Sequence, residues 1–178
     1  MVAASTALYP RYYIKTRSSV SSPTSLCHGC YNSGMSEELI GAYDIRGTEE
    51  NGLTVECAWN AGKALADWLP EDGAVVVSST PSQRRLADAV IEGARLQGRD
   101  VVDAGESDKD FVTSYIITGG LAGAVVVGFD DMDKVSTIEL YQAGAKLIDS
   151  ETGLHEIREL IEAGNFVPSA VKGELIKL

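Results

Sequence analysis

Short runs of β-branched residues alternate with amphipathic segments along most of this chain, and this alternation restricts the fold more than any other feature. Ala74–Val77 is a continuous apolar run, which is typical of a strand buried on both faces. Leu53–Leu69 has apolar residues at three- and four-residue spacing, which predicts a helix with Thr54 as a candidate N-cap. Further helices are predicted over residues 81–98, 108–118 and 151–163, and further strands over 39–47, 101–102, 124–127, 138–141 and 147–148.

Strands that alternate with helices through short loops predict an α/β fold, here a three-layer α/β/α sandwich. Right-handed crossovers make consecutive strands of such a sheet parallel. The strand at 138–141 is an exception, because only a short acidic loop separates it from the strand at 124–127. A parallel crossover needs about a dozen residues or more, so these two strands are predicted to be antiparallel and the sheet mixed, mostly parallel.

Charge is distributed unevenly over the 178 residues. Three of the 15 basic residues and none of the 26 acidic residues lie in the first 34 positions. The acidic remainder would repel a phosphate backbone, so no nucleic-acid partner is expected. No apolar run approaches the roughly 20 residues of a membrane span, so no membrane contact is expected either. Three cysteines are too few for a disulfide framework, and a cytoplasmic location is expected.

The first 34 residues are rich in serine and lack a helix or strand period, so we expect a disordered leader. Its composition is compatible with an organelle transit peptide. An over-extended start, with the natural initiator at Met35, is the favoured interpretation. The single CxxC at Cys27–Cys30 supplies at most half of a zinc site and is expected to have no function. The expected domain is 35–165, and 166–178 is expected to be a tail or the remnant of an interdomain linker.

A series of short matches identifies a family. The segment Ala42-Tyr43-Asp44-Ile45-Arg46-Gly47, the helix containing Ala61-Gly62-Lys63-Ala64-Leu65-Ala66, and the later segments Leu86–Gly93, Asp100–Gly105 and Leu140-Tyr141 occur in order. Together they resemble the first domain of bacterial phosphomannomutase/phosphoglucomutase proteins, members of the α-D-phosphohexomutase superfamily. The resemblance covers about residues 38 to 165.

The resemblance implies a reaction that needs parts beyond this domain. The family interconverts sugar 1- and 6-phosphates through a phosphoserine in a TASHNP loop of domain one. A magnesium loop of the DGDGD type lies in the second domain, and the third and fourth domains bind the sugar and its phosphate. No DGDGD-type loop occurs in this sequence. The chain is therefore expected to bind no cofactor of its own.

Laid on the family pattern without gaps, the phosphoserine loop falls on Val127 to Tyr141. Phe129 then stands at the phosphoserine position and Glu139 at the position of the active-site lysine. Phenylalanine cannot accept a phosphoryl group. Of the family's active-site motifs only the YDIRG segment remains, and there the resemblance implies that Tyr43 and Arg46 face the active site.

Other candidate residues have less specific interpretations. Asp130, Asp131 and Asp133 offer oxygen ligands for a hard cation, but a solvated acidic loop is the favoured interpretation. Phe129 is expected to fill the core. Arg46 could bind a phosphate or carboxylate, or form an ion pair with Asp44, Asp130 and Glu139. The remaining candidates are the start of the second helix (Ser82–Arg85), which could meet an anion but is expected to be solvated, Cys57, expected to be buried, and His155, expected at the surface.

Three hypotheses follow. The first is a catalytically inactive homologue of phosphohexomutase domain one, acting as a binding or regulatory module or persisting as a relic. Its exposed cleft face would then favour a protein partner or self-association. The second is one subunit or fragment of a split phosphohexomutase. The third is a domain that binds a small anion or a metal through the acidic loop and Arg46.

Overall fold

The first long helix begins where the sequence predicts it. In the computed structural model, which describes residues 39–70 and 72–178, helix α1 spans Val55–Trp68 and the side chain of Thr54 accepts the Cys57 N–H. This bond satisfies one of the free N–H groups of the first turn. The leader and its CxxC lie outside the described residues, so these predictions stay predictions.

Helix α2, Arg84–Leu96, follows a 3₁₀ turn over Pro81–Gln83. It packs against α1 through two glycines. A Cβ at Gly62 would overlap the Val90 carbonyl oxygen, and a Cβ at Gly93 would overlap the Trp59 carbonyl oxygen. The two backbones therefore approach more closely than any side chain would allow.

Seven strands of the described residues form one mixed sheet in the order β1-β5-β4-β2-β3-β7, with β6 paired to the same edge of β5 as β1. Strand β5 is antiparallel to β1, β4 and β6, whereas β2 is parallel to β3 and β4, and β3 is parallel to β7. Every strand except β5 thus runs in one direction, which confirms the mixed, mostly parallel sheet. The strands are β1 (Ile45–Gly47), β2 (Val75–Ser79), β3 (Val101–Asp103), β4 (Gly123–Asp130), β5 (Val135–Gln142), β6 (Lys146–Leu147) and β7 (Leu175–Lys177).

Helices cover the two faces of the sheet unequally. The larger core lies between one face and helices α1, α2 and α4, where α4 spans Leu154–Ala163. The smaller core lies on the other face under helix α3, Lys109–Gly119, which Asp108 caps. Neighbouring strand residues point to opposite faces, so Val75 and Val77 belong to the larger core and Val76 to the smaller one. The three layers match the predicted architecture.

The expectation that residues 166–178 lie outside the fold is wrong. Leu175–Lys177 is an edge strand parallel to β3. The segment before it is bonded to α2, since the Gly173 N–H donates to the Arg95 carbonyl and Arg95 Nε donates to the Gly173 carbonyl at 3.0 Å. The strand is only three residues long, which is too short to produce a recognisable pattern in the sequence. Of the described helices, none is long and apolar enough to cross a membrane.

Candidate functional site

The motif residues meet at the edge of the sheet where β1 and β4 end and β5 begins. Gly47 pairs with Ser136, and Ser136 also pairs with Phe129 across the β4–β5 hairpin. Parallel strands present their carboxyl ends at one edge, which is where α/β proteins usually bind ligands. Arg46 on β1 and the hairpin turn are thus placed side by side, as the family resemblance implies.

Arg46 is surrounded by carboxylates. Its Nε lies 3.0 Å from an Asp44 oxygen, and its terminal nitrogens lie 3.3 Å from Asp133 and 3.8 Å from Asp130. The hydrogen bond to Asp44, followed by the charge of Asp44, raises the pKa of the Arg46 guanidinium. Asp44 is buried. The predicted ion pair with Asp44 and Asp130 is therefore present, with Asp133 as an additional partner.

The acidic loop is a tight hairpin turn organised by one of its own carboxylates. One Asp130 oxygen accepts the Met132 N–H at 2.9 Å and the Asp133 N–H at 3.3 Å. These bonds lower the pKa of the Asp130 carboxyl, and the bond from Met132 has the larger effect. No group of three or more metal-ligating side chains occurs among residues 39–70 and 72–178. The Arg46 guanidinium occupies the space between the carboxylates, so these residues do not fit a magnesium ion.

Phe129 is not in the core, which corrects the expectation from the sequence. Its exposed fraction is 39%, whereas Val127, two residues earlier on the same face of β4, is fully buried. The hairpin extends beyond the helices that cover this face, so the residue that continues the apolar row reaches solvent. Met132 at the turn and Tyr43 beside Asp44 are also exposed.

Glu139 does not pair with Arg46, which corrects a second expectation. Its carboxylate lies 2.7 Å from Lys109 Nζ at the start of α3 and accepts the Tyr141 hydroxyl. The hydrogen bond that Lys109 donates to Glu139 raises the pKa of Lys109. Burial, followed by the hydrogen bond that its hydroxyl donates to Glu139, raises the pKa of Tyr141 to about 12. A lysine at the start of α3 thus neutralises the charge of Glu139.

Ser136 and Gln83 form a contact that the sequence did not reveal. The Ser136 hydroxyl donates to Gln83 Oε1 at 2.8 Å, and Gln83 is buried in the 3₁₀ turn before α2. A carboxamide oxygen is too weakly basic to take the proton of a hydroxyl, so this bond does not activate Ser136 as a nucleophile. Ser78 and Ser79 nearby on β2 are buried, and their hydroxyls have no hydrogen-bond partner among the described residues.

Arg84 is engaged by carboxylates instead of being solvated as expected. Its two terminal nitrogens donate to the two oxygens of buried Asp103 at 2.8 and 2.6 Å, and a further contact of 2.7 Å joins it to Asp88. The bond from Arg84 lowers the pKa of Asp103. Arg84, Asp88, Asp103 and Lys177 line an open cleft of about 410 Å³ at the ends of β3 and β7. No sequence signal linked these positions, because the pairing joins residues 19 apart.

Two expectations outside the motif residues are confirmed. Cys57 is buried, and burial raises the pKa of its thiol to about 11. His155 is an exposed residue on α4, with its Nε2 3.4 Å from the carboxylate of Glu159. Neither residue contributes to the sheet edge that holds Arg46.

Comparisons with known proteins agree with this architecture. Residues 37–167 match the family model "Phosphoglucomutase/phosphomannomutase, alpha/beta/alpha domain I". The phosphomannomutase of Salmonella typhimurium is 32% identical over 132 residues, which cover 71% of this chain and 28% of that protein. The phosphomannomutase of Escherichia coli is 31% identical over the same length and with the same coverage. The chain thus spans just over a quarter of the length of these relatives.

A solved structure supports the fold. A phosphoglucomutase/phosphomannomutase family protein from Burkholderia thailandensis superimposes on 80% of this chain with a TM-score of 0.66, at 24% sequence identity. The match covers 33% of that protein. The mixed sheet with helices on both faces is therefore the shared feature.

Proposed function

Because the chain belongs to the phosphoglucomutase/phosphomannomutase family through its α/β/α domain I, we propose that it is a domain-I homologue without phosphoryl-transfer chemistry of its own. In this proposal the domain serves as a binding or regulatory module. The observation that carries the proposal is the set of residues and hydrogen bonds in the hairpin turn, which lies where the family's loop would carry its nucleophile.

The turn has no hydroxyl side chain, and two of its backbone N–H groups are already bonded. Phe129, at the aligned phosphoserine position, has no oxygen to accept a phosphoryl group. The Met132 and Asp133 N–H groups point at the Asp130 carboxylate. A phosphate cradled by a loop needs such N–H groups to be available, because they supply the fixed positive ends of backbone dipoles. In this turn a carboxylate takes the place that a phosphate oxygen would occupy.

Electrostatics at the same edge support the proposal. One guanidinium, on Arg46, lies among the carboxylates of Asp44, Asp130 and Asp133. A phosphate would have to displace carboxylates from Arg46 and would be repelled by those that remained. Lys109 and Lys134, the other cations near this edge, are paired with Glu139 and Asp131. We therefore expect the edge to bind sugar phosphates weakly or not at all.

The module would act through its exposed edge. Tyr43, Phe129 and Met132 leave large apolar side chains in solvent near this end of the sheet. Exposed apolar surface rimmed by charges is a common property of protein interaction sites. A protein partner or a second copy would bury these three side chains, with no bound cofactor required.

A split phosphohexomutase is the second candidate, and one observation favours it. The domain-I match to phosphomannomutases supports it, and in this candidate further domains on a separate chain would complete a mutase. Even then the nucleophile would have to come from elsewhere, since Phe129 cannot supply it. A small-anion or metal site is less favoured, because the turn carboxylates are already bonded to Arg46 and to backbone N–H groups.

Isothermal titration with glucose 1-phosphate tests the proposal. We expect no saturable heat up to about 1 mM ligand, for which the binding free energy would be about −4 kcal/mol. Asp130→Asn/Asp133→Asn, which keeps side-chain acceptors in the turn but removes two charges, should bind more tightly than the wild-type chain. Saturable binding by the wild-type chain that disappears in Arg46→Met would contradict the proposal.

A further inference from the structure

Among residues 39–70 and 72–178, no helix covers β7 on the face of the sheet that carries α3. Ile176 on β7 pairs with Val102 on β3, so the two side chains lie on the same face, and Val102 belongs to the smaller core beneath α3. Val102 is buried, whereas the exposed fraction of Ile176 is 47%. Helix α3 contacts β2 and β4, which leaves β7 uncovered on this side.

The orientation of α3 places two aromatic rings beside this open strand. Lys109 reaches Glu139 on β5, so that flank of α3 faces the β5 side. Phe111 and Tyr115 lie on the opposite flank, because successive helix residues are rotated by about 100°. Their rings are stacked 5.7 Å apart, and Tyr115 packs against the smaller core that contains Val102. Phe111 has an exposed fraction of 43%.

Phe111, Tyr115 and Ile176 thus form an apolar surface, called here the α3–β7 strip. Acidic side chains flank both of its ends. Asp100 and Glu174 are exposed residues immediately before β3 and β7, and the Asp100 carboxylate accepts the Glu174 N–H at 2.7 Å. Glu106, Asp108 and Asp110 are exposed around the start of α3. Lys109 is paired with Glu139, and Lys177 lies on the opposite face with Asp103. Arg99 is close enough to interact with the charge of Asp100, but its guanidinium donates to the carbonyls of Ala66 and Leu69.

We propose that the α3–β7 strip is the docking site for an amphipathic helix of a partner protein that carries basic residues at both ends of its apolar face. Packed helices are about 10 Å apart and neighbouring strands about 4.8 Å, so the next helix beside α3 would lie about two strands further along the sheet. A helix on this strip would therefore complete the α layer on this face. A second copy of the chain is disfavoured, because it would bring acidic ends against acidic ends.

The test uses the full chain and a synthetic probe. The probe is an amidated 16-residue helical peptide, about four and a half turns long, with a leucine stripe and lysines in its first and last turns. Titrated into ¹⁵N-labelled protein, it should shift the amide resonances of α3, β3 and β7 and leave those of the β4–β5 hairpin unchanged. A peptide with glutamates in place of the lysines should bind at least about tenfold more weakly.

Variants separate the strip from non-specific binding. Ile176→Lys and Phe111→Lys replace exposed side chains on separate elements, and each should weaken binding of the lysine peptide by about tenfold or more. Met132→Lys, on the distant hairpin turn, should leave the affinity within about twofold. Glu106→Gln/Asp110→Asn should weaken binding at low salt and less so at high salt. The proposal is overturned if the lysine peptide does not bind, if its shifts map to the hairpin, or if the glutamate peptide binds equally well.

Discussion

Helices α1 and α2 pack so closely that a Cβ has no room at Gly62 or Gly93, whereas the tip of the β4–β5 hairpin leaves Phe129 and Met132 in solvent. The two regions share one sheet and one family history. In the first, backbone overlap leaves little freedom to substitute the glycines without moving a helix. In the second, packing places little restriction on the side chains. The contrast teaches that this fold restricts substitution at the helix contact far more than at the hairpin tip.

The largest expected effect concerns the close packing of α1 against α2. Gly62→Ala would place a Cβ against the Val90 carbonyl, and overpacking of this kind should cost on the order of 3 kcal/mol of unfolding free energy. Gly119→Ala in α3 is the matched control, because its Cβ would meet only Leu121 side-chain atoms, the nearest at 3.4 Å. Urea unfolding followed by circular dichroism measures both. Equal stability of the two variants would show that the helices separate freely.

Two truncations along the β4–β5 hairpin should differ in their cost to the unfolding free energy, with the buried position losing more than the exposed one. Leu140→Ala removes a fully buried side chain of the larger core and should cost about 3 kcal/mol of unfolding free energy. Phe129→Ala removes a larger side chain that is partly in solvent and should cost less than about 1 kcal/mol. Chemical denaturation of both variants checks the order. A larger loss for Phe129→Ala would place that ring in the core after all.

A third change tests the ion pair that fixes α2 to β3. Asp103→Asn removes the buried charge that binds Arg84 at two positions and should cost about 2 kcal/mol near neutral pH. The folded-state pKa of Asp103 is lowered, so its stabilisation is complete above the unfolded pKa of about 3.9 and is lost as the pH falls through the folded value. The variant should therefore lose less stability than wild type between neutral pH and acid. Parallel acid-unfolding curves would contradict this assignment.

The smallest expected effect concerns the hairpin turn. The hydrogen bonds that the Met132 and Asp133 N–H groups donate lower the pKa of Asp130 more than the charge of Arg46 does. Arg46→Met should therefore raise this pKa only slightly and leave it below the usual aspartate range. A ¹³C NMR titration of the Asp130 carboxyl measures the change. Recovery of an ordinary pKa would mean that Arg46, and not the turn, organises this carboxylate.

The sequence predicted the fold better than the site, for a physical reason. Helix and strand periods are local, so α1 with its Thr54 cap and the antiparallel β4–β5 pair were predicted before the structure. The exposure of Phe129 depends on where the covering helices end, which no local pattern contains. The edge strand β7 was missed because bonds from α2 and pairing with β3, rather than its own three residues, hold it in place.

The pairings at the site were the least predictable feature. Glu139 was placed near Arg46 because both positions belong to the family's active-site face, yet Lys109 from α3 reaches it first. Arg84 pairs with Asp103, which lies on the strand after its own helix. Such pairs are decided by the distances between elements once they have packed. Sequence spacing carries no information about them.

The central claim, that this chain has no acceptor for a phosphoryl group, is tested most directly by intact mass spectrometry. The chain is incubated with glucose 1,6-bisphosphate and Mg²⁺, with a full-length family member as the positive control. We expect the mass of the chain to stay unchanged, while the control gains the roughly 80 Da of one phosphoryl group. A gain of that mass by this chain, mapped by peptide sequencing to Ser136, Thr137 or any other described residue, would contradict the account.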